Sequence, residues 1–379
     1  MRCTRLTPAL ALALFVGATA PAFGEPAHVT LKPKAKVRVH EDAIRHVVFS
    51  PDGKYIAICS YFEAVRLLDS EKLQSIASFP GERLRAVAFS PHGKSLCVGG
   101  RHLTLWSVPD GERLFHVEQD QFLNSVAFSP DGKRIVAGGV SIIETQNGDL
   151  PEESGEMSSW DAASLRPAGP TKRFSTRIHC VAFSPDGEKL AVALAGYPDK
   201  PARVLLLNPK TAEQLTEIAD VRGDAAWVTW SPDGKMLAVS GQDVLLWNVK
   251  KNKTHLRIET GLEAPAGWDV EFSPDGKTLA WAGSQSYFSQ TFSLALVRLW
   301  VTDTGELRAI APHGTMWALG VDFSPDGKTL ITGSGNHEVG GWVRLYDLKQ
   351  MQGNERQSTC YHCFQDLSVP SHLHHLPRE

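Results

Sequence analysis

The chain has 379 residues, a formal net charge of −3, 42% hydrophobic residues and 21% charged residues. This composition excludes a disordered chain, a coiled coil and a collagen-like fibre. The length points to two ordinary domains or one large all-β or barrel-like domain, and the near-balanced charge supplies no basic field for nucleic acid or an anionic membrane surface.

At the N-terminus, Arg2 and Arg5 precede an apolar run from Leu6 to Val16, and small residues follow at Ala18, Ala20, Ala22 and Gly24. This layout predicts a secretory signal peptide over residues 1–24, cleaved near Gly24. The run is too short to span ~30 Å of hydrocarbon, so no transmembrane anchor is expected after cleavage. The mature chain is expected to be exported, to the periplasm or the medium. Residues 25–34 read as a short linker. Cleavage leaves Cys59, Cys97, Cys180, Cys360 and Cys363, an odd number that cannot all pair internally. The first three lie in apolar strand patterns and read as small buried hydrophobes.

One phrase then recurs seven times. Phe49-Ser-Pro-Asp-Gly returns from Phe89 (with His for Asp), Phe128, Phe183, Trp230 (with Trp for Phe), Phe272 and Phe323, at intervals of 39 to 55 residues. A repeat of this period decides the architecture. Val always stands two residues before the aromatic, at Val47, Val87, Val126, Val181, Val228, Val270 and Val321. That is the spacing of a half-buried strand. Pro-Asp-Gly then turns the chain, because Pro presets φ, Asp bonds nearby backbone and Gly accepts positive φ. A second strand follows, such as Tyr55 to Cys59, and a third ends each unit, as in Leu105-Trp-Ser107, Ser159-Trp-Asp161 and Leu345-Tyr-Asp347. A fourth alternating segment links the units, although Pro167 and Pro170 make the one from Arg166 to Phe174 an irregular edge. The last unit lacks its fourth strand. Ala35 to His40 alternates correctly and supplies it from the other end of the chain, closing the ring. The predicted fold is all-β, with four-stranded antiparallel units over residues 35–349. Residues 350–379 form a tail that is expected to be poorly ordered.

The aromatic-Ser-Pro-Asp-Gly turn, paired in register with the Leu-Trp-Asp-like strand ending, resembles the WD-repeat (WD40-type) family in a degenerate, exported, bacterial-like form. The resemblance covers about 315 residues, from Ala35 to Lys349. It implies a seven-bladed β-propeller that serves as a platform for protein partners. The family's His, nine residues before the aromatic, is present at His40, is displaced by one at His313 and is absent from the other units. The family's turn Asp fits Asp243 alone, so most of its buried His-Ser-Asp-Trp network is missing.

Candidate sites fall in three places. The first is four long connections between second and third strands: Val140 to Ser158 with Glu144, Asp149, Glu152 and Glu153; Gly196 to Ala202 with Tyr197; Gly283 to Ser293 with Tyr287, Phe288 and Phe292; and Gly333 to Gly341 with His337. Long ordered loops on a rigid scaffold commonly bind partners, and they are also where neutral insertions are tolerated. The second is the central channel, where His46, Trp227, Asp269, Glu271 and Asp322 replace the small residues of other units. Their carboxylates would suit a hard cation such as calcium or a cationic ligand beside Trp227. The alternative is that each acid bonds backbone N–H groups or channel water. The third is the tail, where Cys360, Cys363, His372 and His374 are zinc- or copper-type ligands, beside the plainer reading of a frayed terminus with a local disulfide. No hydrolase elbow, H-E-x-x-H or phosphate loop occurs. The sequence therefore predicts an exported protein-interaction scaffold, monomeric, with one or more protein partners, no nucleic acid and no cofactor. The alternative is a ligand- or metal-binding, conceivably enzymatic, propeller using Asp269, Glu271 and Asp322.

Overall fold

The computed structural model describes residues 28–143, 152–197, 199–260, 267–286, 293–314, 317–336 and 339–352. They form seven antiparallel sheets in a ring, each with its first strand innermost. Blade one, for example, runs Ile44–Phe49, Tyr55–Ser60, Val65–Asp69 and Ser75–Phe79. Blade seven holds Trp317–Phe323, Thr329–Asn336 and Gly340–Asp347, and its fourth strand is Ala35–His40, as the sequence predicts.

The linker before that strand carries a fifth element. Val29–Thr30 pairs in parallel with Ala309 and Ile310 on the outer strand of blade six. Leu31 then buries itself between blades six and seven. Gln350, in a short 3-10 helix at Leu348–Gln352, exchanges two hydrogen bonds with the backbone of Lys32. The fourth segment of blade three shrinks to Lys172–Phe174, the irregular edge expected of its two prolines.

The core is seven separate wedges, one between each pair of neighbouring blades. The wedge between blades one and seven contains Ile44, Val47, Phe49, Ile331, Val343 and Val39 of the closing strand. Val and the aromatic of each first strand pack into these wedges, as their spacing requires. Cys59, Cys97 and Cys180 are buried and unpaired among the described residues. Burial pushes the thiols of Cys59 and Cys180 up to about 12, so all three act as packing residues.

The repeated turn joins the blades on one face. Its glycine takes φ between +68° and +73° in all seven copies, a region that disfavours side chains. Each such glycine packs on the turn proline of the preceding blade. A Cβ there would sit 3.5 to 3.7 Å from that ring, and the series closes with Gly53 on Pro325. In six copies the turn Ser donates to the Asp carboxylate, as in Ser184 to Asp186 at 2.6 Å. These bonds, with the backbone N–H that follows, hold Asp131 and Asp186 below the usual carboxylate range. Blade two has His92 in place of Asp and lacks the bond. We expect His92→Asp to stabilise the chain by about 0.5–1.5 kcal/mol. A urea melt that does not move, or moves down, would show that His92 contributes more through its contact over Gly132.

Candidate functional site

Antiparallel pairing places the start of each first strand beside the end of the second. The connections between strands two and three therefore surround the channel mouth on the face opposite the Pro-Asp-Gly turns. Three of the long connections are mostly hairpin rather than loop. Strands two and three of blade three pair from Arg134↔Asp161 out to Ile143↔Glu152, which places Glu152 and Glu153 in a ladder. Those of blade six pair out to Ser286↔Ser293, and those of blade seven to Asn336↔Gly340. The Ser- and Gly-rich sequence hides this extension, because ladder hydrogen bonds continue past the point where apolar alternation stops. Tyr197 makes a single bridge with Lys200 and lies beside Arg177. Glu144, Asp149, Tyr287, Phe288, Phe292, His337, Cys360, Cys363, His372 and His374 lie outside the described residues.

The mouth itself is a funnel of about 450 Å³. Its lining includes one residue per blade at the same place in the repeat, four before the aromatic: Arg45, Arg85, Asn124, His179, Ala226, Trp268 and Leu319. In five blades this residue is a β-bulge. Arg45 is the extra residue between Ile44↔Ser60 and His46↔Cys59, and Asn124, His179, Trp268 and Leu319 are extra in the same way. A bulge re-aims the side chain it carries. Here it turns a residue of wedge-facing parity into the channel mouth.

Hydrogen bonds tie this ring together. Arg85 donates to the side-chain oxygen of Asn124, whose amide donates to Ile178 O at 2.7 Å. The His179 ring nitrogen and the Asp224 carboxylate bond at 3.0 Å, and Asp224 also accepts from Gly196 N–H. Burial alone would raise Asp224, but the His179 contact holds it below the ordinary carboxylate value. Arg45 and Arg85 both lie against Tyr61, at 5.8 and 5.2 Å from its ring. Burial and the Arg85 charge pull Arg45 below its ordinary value.

Beneath the ring, His46 of blade one meets Trp227 of blade five across the channel, with 4.9 Å between centroids. Burial drives His46 down to about 4, so it is neutral at physiological pH. Asp269, Glu271 and Asp322 come together around the channel, as their repeat positions predict. Each takes a hydrogen bond from a neighbouring blade. Val321 N–H donates to Asp269 at 2.9 Å, Phe49 N–H to Asp322 at 2.7 Å and the Thr229 hydroxyl to Glu271 at 2.8 Å. Ser125 accepts from Val181 N–H in the same manner. An innermost strand has one sheet neighbour only, so its channel-side N–H groups need partners, and Asp269, Asp322 and Ser125 supply them. Burial raises all three acids, Asp322 to about 7, and mutual repulsion raises Asp269 and Glu271 further. Among the described residues no group of three or more His, Cys, Asp or Glu side chains is arranged to hold a metal ion.

The family's buried network survives in altered form. His40 bonds Glu63 at 3.0 Å, Asp243 is gripped by Arg257 at 2.8 and 2.9 Å, and His313 contacts Arg344 and Tyr346. His313 is one residue off the family position because it is itself bulged, between Ala295↔Gly314 and Leu296↔Pro312.

Arg45, Arg85, Asn124, Arg177, His179 and Trp268 were not candidates from the sequence. For all but Arg177 the signal was present: polar or aromatic residues recurring four before the aromatic, a position whose parity should bury them.

The WD domain, G-beta repeat family profile matches residues 31–61, 112–141 and 306–347. A WD repeat-containing protein of Synechocystis sp. is 27% identical over 164 residues, which is 42% of each chain. A Notchless protein homolog of Arabidopsis thaliana is 40% identical over 53 residues, 14% of this chain and 11% of that one. A protein of Sulfurisphaera tokodaii named as a Tricorn-like protease C-terminal subunit is 29% identical over 107 residues, 28% of this chain and 12% of that one. The matched stretches span less than half the length of each relative. The repeats, the seven four-stranded blades and the profile matches agree: the chain is a seven-bladed β-propeller that carries WD-type repeats in three matched stretches.

Proposed function

We propose that this propeller is a non-catalytic binding platform whose partner surface is the hairpin face with the funnel at its centre. One observation carries the reading. Among the described residues eight large hydrophobic side chains are exposed. Four of them, Phe62, Trp268, Trp317 and Val339, stand on this face around the funnel. The other four lie on outer strands of blades one, two and four. Clustered exposed aromatics around a concavity mark interaction surfaces. The profile family, whose propellers typically bind proteins, supports the same reading.

The channel acids support a structural role rather than cation binding, since each already accepts a hydrogen bond from a neighbouring blade. The N-terminal pattern of Arg2, Arg5 and Leu6–Val16 supports export, which N-terminal sequencing of the native protein tests; an intact Met1 would overturn it. For the platform, the full chain and a Phe62→Ser, Trp268→Ser, Trp317→Ser variant serve as paired baits against envelope and culture-fluid extracts. The three side chains are 67%, 41% and 37% exposed, so the variant is compared at a temperature where its near-ultraviolet circular dichroism equals the parent's. We expect a partner held by the parent and lost by at least about tenfold from the variant. A partner held equally by both would remove the hairpin face as its site.

A further inference from the structure

We propose that the funnel receives a carboxylate-bearing segment of a partner protein, with the carboxylate held by Arg45 and Arg85 and an adjoining apolar group against Trp227 and Trp268. The proposal rests on the reading of the hairpin face as the partner surface and names the chemistry recognised there.

The first argument is charge. The chain as a whole carries −3, yet the funnel wall carries Arg45, Arg85, Arg177 and His179. Arg45 and Arg85 share one tyrosine ring, Tyr61, so two like charges are held close together. Among the described residues neither forms an ion pair with a carboxylate. Arg85 is fixed in place by Asn124 and by the Tyr61 hydroxyl at 3.5 Å. Its side chain is thus ordered before any ligand arrives, which lowers the entropic cost of binding. Among the acids near the funnel, Asp224 bonds His179 and Gly196 N–H and Asp269 bonds Val321 N–H, while Asp42 bonds Ala43 N–H and attracts Arg45 through space without an ion pair between them. Guanidinium groups match carboxylates through paired N–H donors.

The second argument is shape. His46 and Trp227 touch across the channel and floor the funnel. A chain cannot thread past them, so the occupant is a side chain or a chain terminus. Trp268 is exposed on the rim and Trp227 is half-buried at the floor. They offer aromatic surface beside the cations, which suits an acidic residue next to an apolar one.

The test uses the full chain and a fluorescein-labelled peptide, Gly-Glu-Glu-Phe-Glu-Glu with free carboxylates, read by polarisation. Its counterpart has Gln for every Glu and an amidated end. We expect the acidic peptide to bind at least about tenfold tighter than the neutral one. Arg45→Gln with Arg85→Gln should remove that preference. Lys133→Gln with Lys277→Gln changes net charge equally on exposed turn residues of the opposite face, and should keep it. If the double arginine variant melts early, Arg45→Gln alone, which leaves Arg85 bonded to Asn124, gives the reading. Equal binding of the two peptides would overturn the proposal while leaving the hairpin face as a binding surface. So would loss of acidic-peptide binding to the same extent in both double variants, since that reports net charge alone. Displacement by inorganic phosphate as readily as by unlabelled acidic peptide would reassign the funnel to bare anions and overturn the peptide reading.

Discussion

Deleting residues 1–40 should abolish the cooperative unfolding of this propeller, whereas deleting residues 1–27 should leave it intact. The longer deletion removes both N-terminal strands. Leu31 and Val39 are 1% and 6% exposed, and fully burying such side chains contributes about 1.5–3 kcal/mol each. Val37 and Ala35 pack partly against the same wedge. The loss is therefore about 3–6 kcal/mol, before the ladder with Gly341 to Leu345 is counted. Whole domains are stable by about 5–15 kcal/mol, so the deletion removes a large share of the total. It also leaves the strand Gly340–Asp347 as an open edge, and such edges aggregate. Urea melts followed by near-ultraviolet circular dichroism, with size-exclusion chromatography, read both effects. A chain lacking residues 1–40 that melts at the same urea concentration as one lacking residues 1–27 would refute closure by the N-terminal strand. Leu31→Ala, in the otherwise full chain, separates the parallel strand on blade six from the closing strand on blade seven. It should cost about 2–5 kcal/mol without exposing a new edge.

Sequence and structure agree wherever one physical rule acts alone. Val47 and Phe49, and their six counterparts, face a wedge because strand alternation buries every second residue. Ala35 to His40 closes blade seven because it alternates and nothing else in the chain supplies that strand. The disagreements arise where a second rule overrides the first. Alternation assigns Arg45 the parity of Val47 and Phe49, and therefore burial. The bulge between Ile44 and His46 reverses that assignment and delivers a guanidinium to the channel mouth. The same reversal hid Asn124, His179 and Trp268. Val29–Thr30 is two residues long, too short for any periodicity to register. The hairpin beyond Val140 reads as loop because Ser141 and Gly155 interrupt the apolar pattern, although their backbones pair without difficulty. The channel acids were legible as a cluster from their repeat positions. Their role was not, because it depends on which backbone N–H groups the neighbouring blade leaves unpaired.

That role makes stability depend on pH with an unusual sign. Asp322 is pushed up to about 7 by burial, and burial and mutual repulsion also raise Asp269 and Glu271. A carboxyl whose value is higher in the fold than in the unfolded chain binds more protons when folded. Its contribution is complete at low pH and is lost as pH rises from its ordinary value, near 4, through about 7. Buried histidines act in the opposite direction. Burial lowers His46 to about 4 and also lowers His40 and His313. They favour folding as pH rises from about 4 to their ordinary 6.5. The two effects offset each other below about pH 6.5, and only the carboxyl effect operates above it. Stability should therefore fall between pH 6.5 and pH 8, by about 1.4 kcal/mol for Asp322 alone at 1.36 kcal/mol per unit, with Asp269 and Glu271 acting in the same direction. Asp322→Asn keeps an oxygen for Phe49 N–H and removes one charge. It should match the parent near pH 4 and gain on it as pH rises to about 7, flattening the decline. Asp322→Ala leaves that N–H without its partner and should lie about 1–3 kcal/mol below the Asn variant at every pH. Unfolding free energies of the three chains from pH 5 to pH 8 decide the matter. Parallel curves for the parent and the Asn variant would mean that Asp322 ionises in the fold as it does in the unfolded chain. Its contribution would then be its hydrogen bonds to Phe49 and Phe323 N–H.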